Sequence, residues 1–418
     1  MLGNGRDQGR RFKAHGPSLW SVGLVCLAFI VVACGEGGSE VTTTTAGSNG
    51  STTTEAGDLS TTQAAVEDVP AFLSEAQAAL ELGYAGDFQD PPTEGPAAVG
   101  DKDVWVISCG QAFEACAVMV EAFQEAGDLL GWTVTVQDGA ADPTVAATII
   151  RQAIAAQVDG IAVAFFDCPG VKSALLEARD AAIPVVTYGS LDCDNPIYGG
   201  TDEPLYTAPL HWRGSTDTAE YYAAWARARA NYVIATSDGS ANVLSVYENS
   251  QAIQQANGAA FLDEMGKCST CALTEVPFSF AQVPEPATLQ WQSAITANPE
   301  ATVIANGIDA LMNLGLQTAI QQSGRSDLVI DGAEGNPSNM DYIRQGTQRS
   351  ATAMPYEWIF WALADSLNRI FAAEDPASLP NQGGGWQFID AEHNLPAEGE
   401  RYAPPVDFKT TYSAIWEG

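Results

Sequence analysis

Gln157-Val158-Asp159-Gly160-Ile161-Ala162-Val163-Ala164-Phe165-Phe166 is followed, one helix length later, by Ala181-Ala182-Ile183-Pro184-Val185-Val186-Thr187-Tyr188. Gly160 to Phe166 is almost wholly apolar, the mark of a strand covered on both faces, and such strands belong to parallel sheets. Pro169 to Ala182 between them reads as a helix. Upstream the same beat holds. Val104 to Ile107 is an apolar strand, and Met119, Phe123, Ala126 and Leu130 fall at helical spacing up to Gly131. Trp132, Val134 and Val136 alternate as a second strand, and Asp142-Pro143 caps a helix carrying Ile149, Ile150 and Ile154. Strand starts near 104, 132, 161 and 184 match βαβ units, which predicts a parallel sheet with helices on both faces.

The beat breaks at Thr201 to Thr218, ahead of a helix over 219–230, and then resumes. Strands are predicted over 242–246, 273–276, 302–305 and 328–331, alternating with helices over 252–265, 287–297 and 310–322. A short strand over 351–354 and a long helix over 358–373 follow. About 320 residues from position 100 onward exceed what one core organises, so two lobes are expected. Gly383-Gly384-Gly385 precedes Trp386 and no helix, and reads as a loop.

The first 34 residues have a basic start (Arg6, Arg10, Arg11, Lys13), an apolar run from Leu24 to Val32, then Ala33-Cys34. This is the layout of a secretory signal. Val31-Val32-Ala33-Cys34 resembles a bacterial lipobox, which implies that Cys34 is lipidated and becomes the mature N-terminus. Arg10-Arg11-Phe12 matches a twin-arginine signal only in part, so the export route stays open. The Thr-, Ser- and Gly-rich stretch after Cys34 has too few apolar side chains to offset its ordering entropy and is expected to be a tether.

The formal charge is −34, about −37 once the signal is removed. So acidic a chain does not seek nucleic acid or anionic lipid. Apart from Cys26 and Cys34, six cysteines remain, and an even number in an exported chain reads as three disulfides. Nearness along the chain and in the expected fold favours Cys109 with Cys116, Cys168 with Cys193, and Cys268 with Cys271. No cysteine or histidine stands at zinc-finger spacing, and no metal or cofactor is expected. There is no Gly-x-Ser-x-Gly elbow and no phosphate-binding glycine loop after a strand. His15, His211 and His393 have no nucleophile or metal set around them, which speaks against an enzyme.

The order and spacing of several stretches resemble the type I periplasmic binding proteins, in particular the ribose- and galactose-type sugar-binding lipoproteins of ABC importers. They are Gln157-Val158-Asp159-Gly160-Ile161, Ala181 to Thr187, Gly258-Ala259-Ala260-Phe261, Ile330-Asp331-Gly332-Ala333-Glu334-Gly335, Gln345-Gly346 and the ending Tyr412-Ser413-Ala414-Ile415-Trp416. The resemblance implies an α/β fold of two Rossmann-like lobes joined by a three-segment hinge. It divides the chain into 1–33, a signal peptide; 34–99, lipidated cysteine and tether with a short helix; 100–212 plus 356–380, the N-terminal lobe; and 213–355 plus 381–418, the C-terminal lobe. It also implies a monomer outside the cytoplasm that closes on a small molecule and delivers it to a membrane permease.

Open parallel sheets bind ligands beyond the carboxyl ends of their strands. That rule, with side chains able to hold vicinal hydroxyls or lie against a sugar ring, selects Gln111, Phe113, Glu114, Asp167, Tyr188, Gln255, Asn306, Asp309, Glu334 and Tyr356 as ligand-binding candidates. The sugar-binding family's carboxylate after the last lobe-two strand matches Glu334, and its asparagine falls near Asn306 or Asp309. Its Asp-Arg pair is replaced by Gly189-Ser190, its helix arginine falls near Gln254 or Gln255, and its opening aromatic pair gives way to Glu114-Ala115. These departures argue against ribose or galactose as such. A cationic amine as ligand, and a sensor role in place of import, stay open.

Overall fold

The computed structural model describes residues 69–283 and 285–418, so the signal segment, Cys34 and the Thr-rich stretch lie outside the described residues. Helix α1 (Ala71–Ala85) and strand β1 (Asp87–Gln89) come first. Lobe one follows as β2 (Asp103–Ser108), α2 (Glu114–Leu129), β3 (Thr133–Asp138), α3 (Pro143–Ala156), β4 (Gly160–Ala164), α4 (Cys168–Asp180), β5 (Val185–Tyr188) and the short β6 (Ala208–Pro209). Its sheet has the order β3-β2-β4-β5-β6, parallel throughout. Alternate residues decide the layering. Val104, Val106, Ala162 and Ala164 face α2, while Ile107, Ile161 and Val163 face α3 and α4. Helix α3 starts where expected because Pro143 needs no N–H partner and the Asp142 carboxylate accepts from Thr144 N at 2.7 Å.

Lobe two runs α5 (Thr218–Thr236), β7 (Asn242–Glu248), α6 (Ala252–Met265), β8 (Ala272–Phe278), α7 (Ala287–Ala297), β9 (Val303–Asn306), α8 (Leu316–Ser323), β10 (Val329–Asp331), α9 (Pro337–Arg344) and β11 (Ser350–Ala353). The chain then returns to lobe one as α10 (Tyr356–Phe371), crosses back as β12 (Gly384–Asp390), and ends in α11 (Phe408–Glu417). The lobe-two sheet has the order β1-β12-β11-β10-β9-β7-β8, with β12 antiparallel to both neighbours. The predicted helix over 310–322 is divided: a 3-10 turn occupies Asp309–Met312, and Gly315 at φ +125° interrupts the chain before α8.

The glycine triplet read as a loop is largely strand. A Cβ on Gly385 would stand 1.8 Å from the Asp87 carbonyl oxygen, and one on Gly384 2.1 Å from the Trp212 indole. Glycine inside a strand marks such a close approach of backbone or ring. Part of the 34–99 segment also belongs to the folded body. Helix α1 packs on α5 with Gly83 against the Phe388 ring, and β1 extends the lobe-two sheet. At the other end α11 packs against α10 on lobe one, where Trp416 stacks on Trp361 at 5.4 Å.

The chain passes between the lobes at 210–217, 354–355 and 372–383, around the boundaries expected after 212, 355 and 380, and segments 90–102 and 391–407 also pass between them. A buried polar network ties several of these together on α10. Asp365 pairs with Arg369 at 2.6 Å and accepts from Gln382 Nε2 and Trp416 Nε1, both at 2.9 Å. Arg369 Nη2 donates to the Glu94 carbonyl at 2.7 Å, and the Asn368 amide takes the backbone of Pro96, Ala97 and Val99. Trp358 lies 5.3 Å from Trp212 and stacks on Phe408 at 5.7 Å. The six cysteines stand in the three expected pairs, with Cα–Cα separations of 5.6, 5.1 and 5.4 Å. Among the described residues no helix is long and apolar enough to cross a membrane.

Candidate functional site

The carboxyl ends of the two sheets meet around Glu334. This residue follows β10, and its Oε1 accepts from the Tyr356 hydroxyl at 2.9 Å, at the start of α10. Its Oε2 accepts from Asp309 N at 3.1 Å and the Asn336 amide at 3.4 Å. Tyr188 reaches this centre from the end of β5. Tyr222 and Arg229 approach from α5, and Arg229 Nη2 donates to the carbonyl of Asn306, the last residue of β9, at 2.7 Å. The structure thus brings together five expected residues: Tyr188, Asn306, Asp309, Glu334 and Tyr356.

Their electrostatics are those of an almost fully buried polar cluster. Burial first, and the neighbouring Asp309 carboxylate second, push the Glu334 carboxyl up to about 7, although it keeps a partial opening to solvent. Asp309 is raised by burial against three opposing backbone hydrogen bonds, from Ala333 N and Gly335 N at 2.7 Å and Asn336 N at 3.2 Å. Those donors occupy both its oxygens, so Asp309 shapes the Glu334 loop and leaves Glu334 as the carboxylate open to a ligand. Burial lowers Arg229 to about 10, and its guanidinium lies over Trp225 and Phe261, 4.9 and 5.3 Å from the ring centroids. Four buried polar atoms here lack a well-formed hydrogen bond: the hydroxyls of Tyr188 and Tyr222, which have only each other within reach, Arg229 Nε and Asn306 Nδ2. Buried orphans of this kind are costly, and they gather where a polar guest would sit.

The remaining candidates stand apart. Asp167 spends its oxygens on Leu191 N at 2.9 Å and the Tyr198 hydroxyl at 2.7 Å, holding lobe-one loops in place. Gln111 is exposed, and Gln255 is exposed with its amide on the Asn249 carbonyl at 2.9 Å. Phe113 and Glu114 lie at the rim and touch lobe two. Cys168, Asp192 and Cys193 are, among the described residues, the one group within metal-ligand reach. The two sulfurs are paired with each other, and Asp192 accepts from the backbone N of Cys193, Leu205 and Tyr206, so these atoms are already engaged. Tyr222 and Arg229 escaped the strand-end rule because they sit inside a helix. Their one signal was the break in the βαβ beat just before it.

Two sheets whose strand ends bring side chains to one polar centre define a two-lobed solute-binding protein. The family profile described as "Periplasmic binding protein domain" matches residues 106–375, and the chain belongs to that family, in its type I branch. These are solute-binding proteins and not enzymes, and they act outside the cytoplasm. A galactofuranose-binding protein is similar in structure, with 16% identity, a TM-score of 0.57, and coverage of 70% of this chain and 95% of its own. So are solute-binding proteins of ABC transporters from Agrobacterium vitis with bound D-fucose (19%, 0.58, 72% and 100%) and from Actinobacillus succinogenes 130z with bound D-allose (16%, 0.58, 70% and 98%). At such identities the likeness is one of fold. No curated protein matches the sequence.

Proposed function

We propose that the protein is the receptor of an ABC importer, taking a sugar or sugar-like solute between its lobes. It is held to the outer face of the membrane through lipidated Cys34 and acts as a monomer. The observation that carries this reading is the buried polar set around Glu334, in which Arg229 Nε and Asn306 Nδ2 are unpartnered and the Tyr188 and Tyr222 hydroxyls have only each other, walled by Phe165, Tyr188, Tyr222 and Tyr356. A polyol supplies both acceptors for Arg229 and Asn306 and donors for Glu334, while its apolar face suits aromatic rings. The solved relatives named above with D-fucose and D-allose point the same way.

Because a ligand that binds only the folded form raises apparent stability, a thermal-shift screen of sugars tests the reading. At least one sugar should raise the melting temperature, and silence across the library would sink it. A second reading, a cationic amine held by Glu334, is favoured by the aromatic walls and makes affinity fall with salt, whereas a neutral sugar shows almost no salt dependence. The same lobes would serve a sensor equally, and the permease encoded beside the gene, or its absence, discriminates. Replacing Cys34 with Ser should release the protein from membranes with solute affinity unchanged. Three disulfides fit the exported location, and a thiol count on denatured, unreduced protein should find none among the six paired cysteines.

A further inference from the structure

We propose that Glu114 is a latch between the lobes: a positioning residue that caps helix α9 from across the cleft and so sets the balance between open and closed forms. Helix α9 lacks a cap of its own. Asn336 at its N-cap makes no side-chain capping bond, and Pro337 has no N–H, so the first free donor belongs to Ser338. That donor is met by the other lobe. Glu114 Oε2 accepts from Ser338 N at 3.2 Å and from Ser338 Oγ at 2.6 Å. The Ser338 hydroxyl is itself steadied by the Asn313 amide at 3.0 Å, and Asn313 in turn accepts from the Tyr342 hydroxyl.

Glu114 is the first residue of α2, at the end of a loop bracketed by the Cys109 and Cys116 pair. Its neighbour Phe113 makes the second contact across the rim, 6.0 Å ring to ring with Phe280 of lobe two. The bracketed loop therefore presents two adjacent side chains to the opposite lobe and fixes where they stand. Glu114 is exposed, so its bonds compete with water and their worth is that of an ordinary cap. A cap of that size shifts the closed-to-open ratio by roughly three- to tenfold, enough to bias the lobes and little enough for a solute to dominate.

The inference rests on the two-lobed receptor reading only for the hinge motion, and its test needs no solute. Spin labels are placed on the full chain at Leu129 of α2 and Leu289 of α7, exposed at 56% and 55%. The distance distribution between them is then compared across variants by double electron–electron resonance. Glu114→Ala should raise the open-to-closed ratio roughly three- to tenfold, and Glu114→Gln, which keeps an acceptor, should restore part of the closed population. Combining Glu114→Ala with Ser338→Ala should give less than the sum of the two effects, as partners in one contact do. Identical distributions for wild type and Glu114→Ala, or strictly additive effects, would overturn the latch. Failure of the sugar screen leaves these distances untouched, so the two readings fail separately.

Discussion

Glu334 carries its proton at a pH where most carboxyls have lost theirs, and this has a sign. Its folded value of about 7 lies above the ordinary 4.5, so the folded form binds the proton more tightly than the unfolded one. Stability therefore falls as pH rises from 4.5 toward 7, and the cost is fully present above 7. Glu334→Gln removes the charge and, with its oxygen turned to Asp309 N, keeps that bond while its amide donates to the Tyr356 hydroxyl. Melts should show the variant more stable than wild type at about pH 8, by on the order of 2 kcal/mol, with the gap closing near pH 5. The paired tyrosine hydroxyls give a second residue-scale test. Tyr188→Phe or Tyr222→Phe deletes a buried hydroxyl whose one polar neighbour is the other, so solute-free stability should change by no more than about 1 kcal/mol. Solute affinity in the same variants should drop, and an equal affinity would remove those hydroxyls from the site. Glu334 and Tyr188 were legible because one follows a parallel strand and the other ends one. Tyr222 and Arg229 were not, since a helix interior reads as core until its polar tips are seen short of partners.

At the scale of elements, the parallel strands were plain from sequence because each is an apolar run between a helix stop and a loop, as in Gly160 to Phe166. Strand β12 was hidden by its glycines, whose role appears only once Asp87 and Trp212 are in place against them. Gly385→Ala should push β1 off the sheet edge and cost about 2–4 kcal/mol in urea unfolding, since neither backbone can yield 1 Å without losing the ladder. Helix α1 posed a different difficulty. Its Ala76, Ala79 and Gly83 share a narrow face suited to close packing, yet a pattern of small residues names no partner. Helix α11 repeats the lesson: Phe408, Tyr412, Ile415 and Trp416 share one face at helical spacing, and only the fold reveals that α10 receives it.

For the molecule as a whole, both terminal segments lie outside the 106–375 region matched by the family profile, and both converge on α10. Asp365 and Arg369 are nearly unexposed, so their pairing depends on the bonds that Glu94, Gln382 and Trp416 supply. Ending the chain before Phe408 takes Trp416 from Asp365 and uncovers Trp358 and Trp361. The expected loss is about 3–5 kcal/mol, read as a lower urea midpoint, because a buried charge is left short of partners. The same hinge region holds a ready optical signal. Trp212 rides on the crossing segment while Trp358 rides on α10, 5.3 Å away and edge-on. Neighbouring indoles at that range couple their electronic transitions, and the coupling changes with their mutual angle. Bending of the hinge should therefore alter the near-ultraviolet circular dichroism of the unlabelled chain, which makes its own chromophores a spectroscopic gauge of lobe movement.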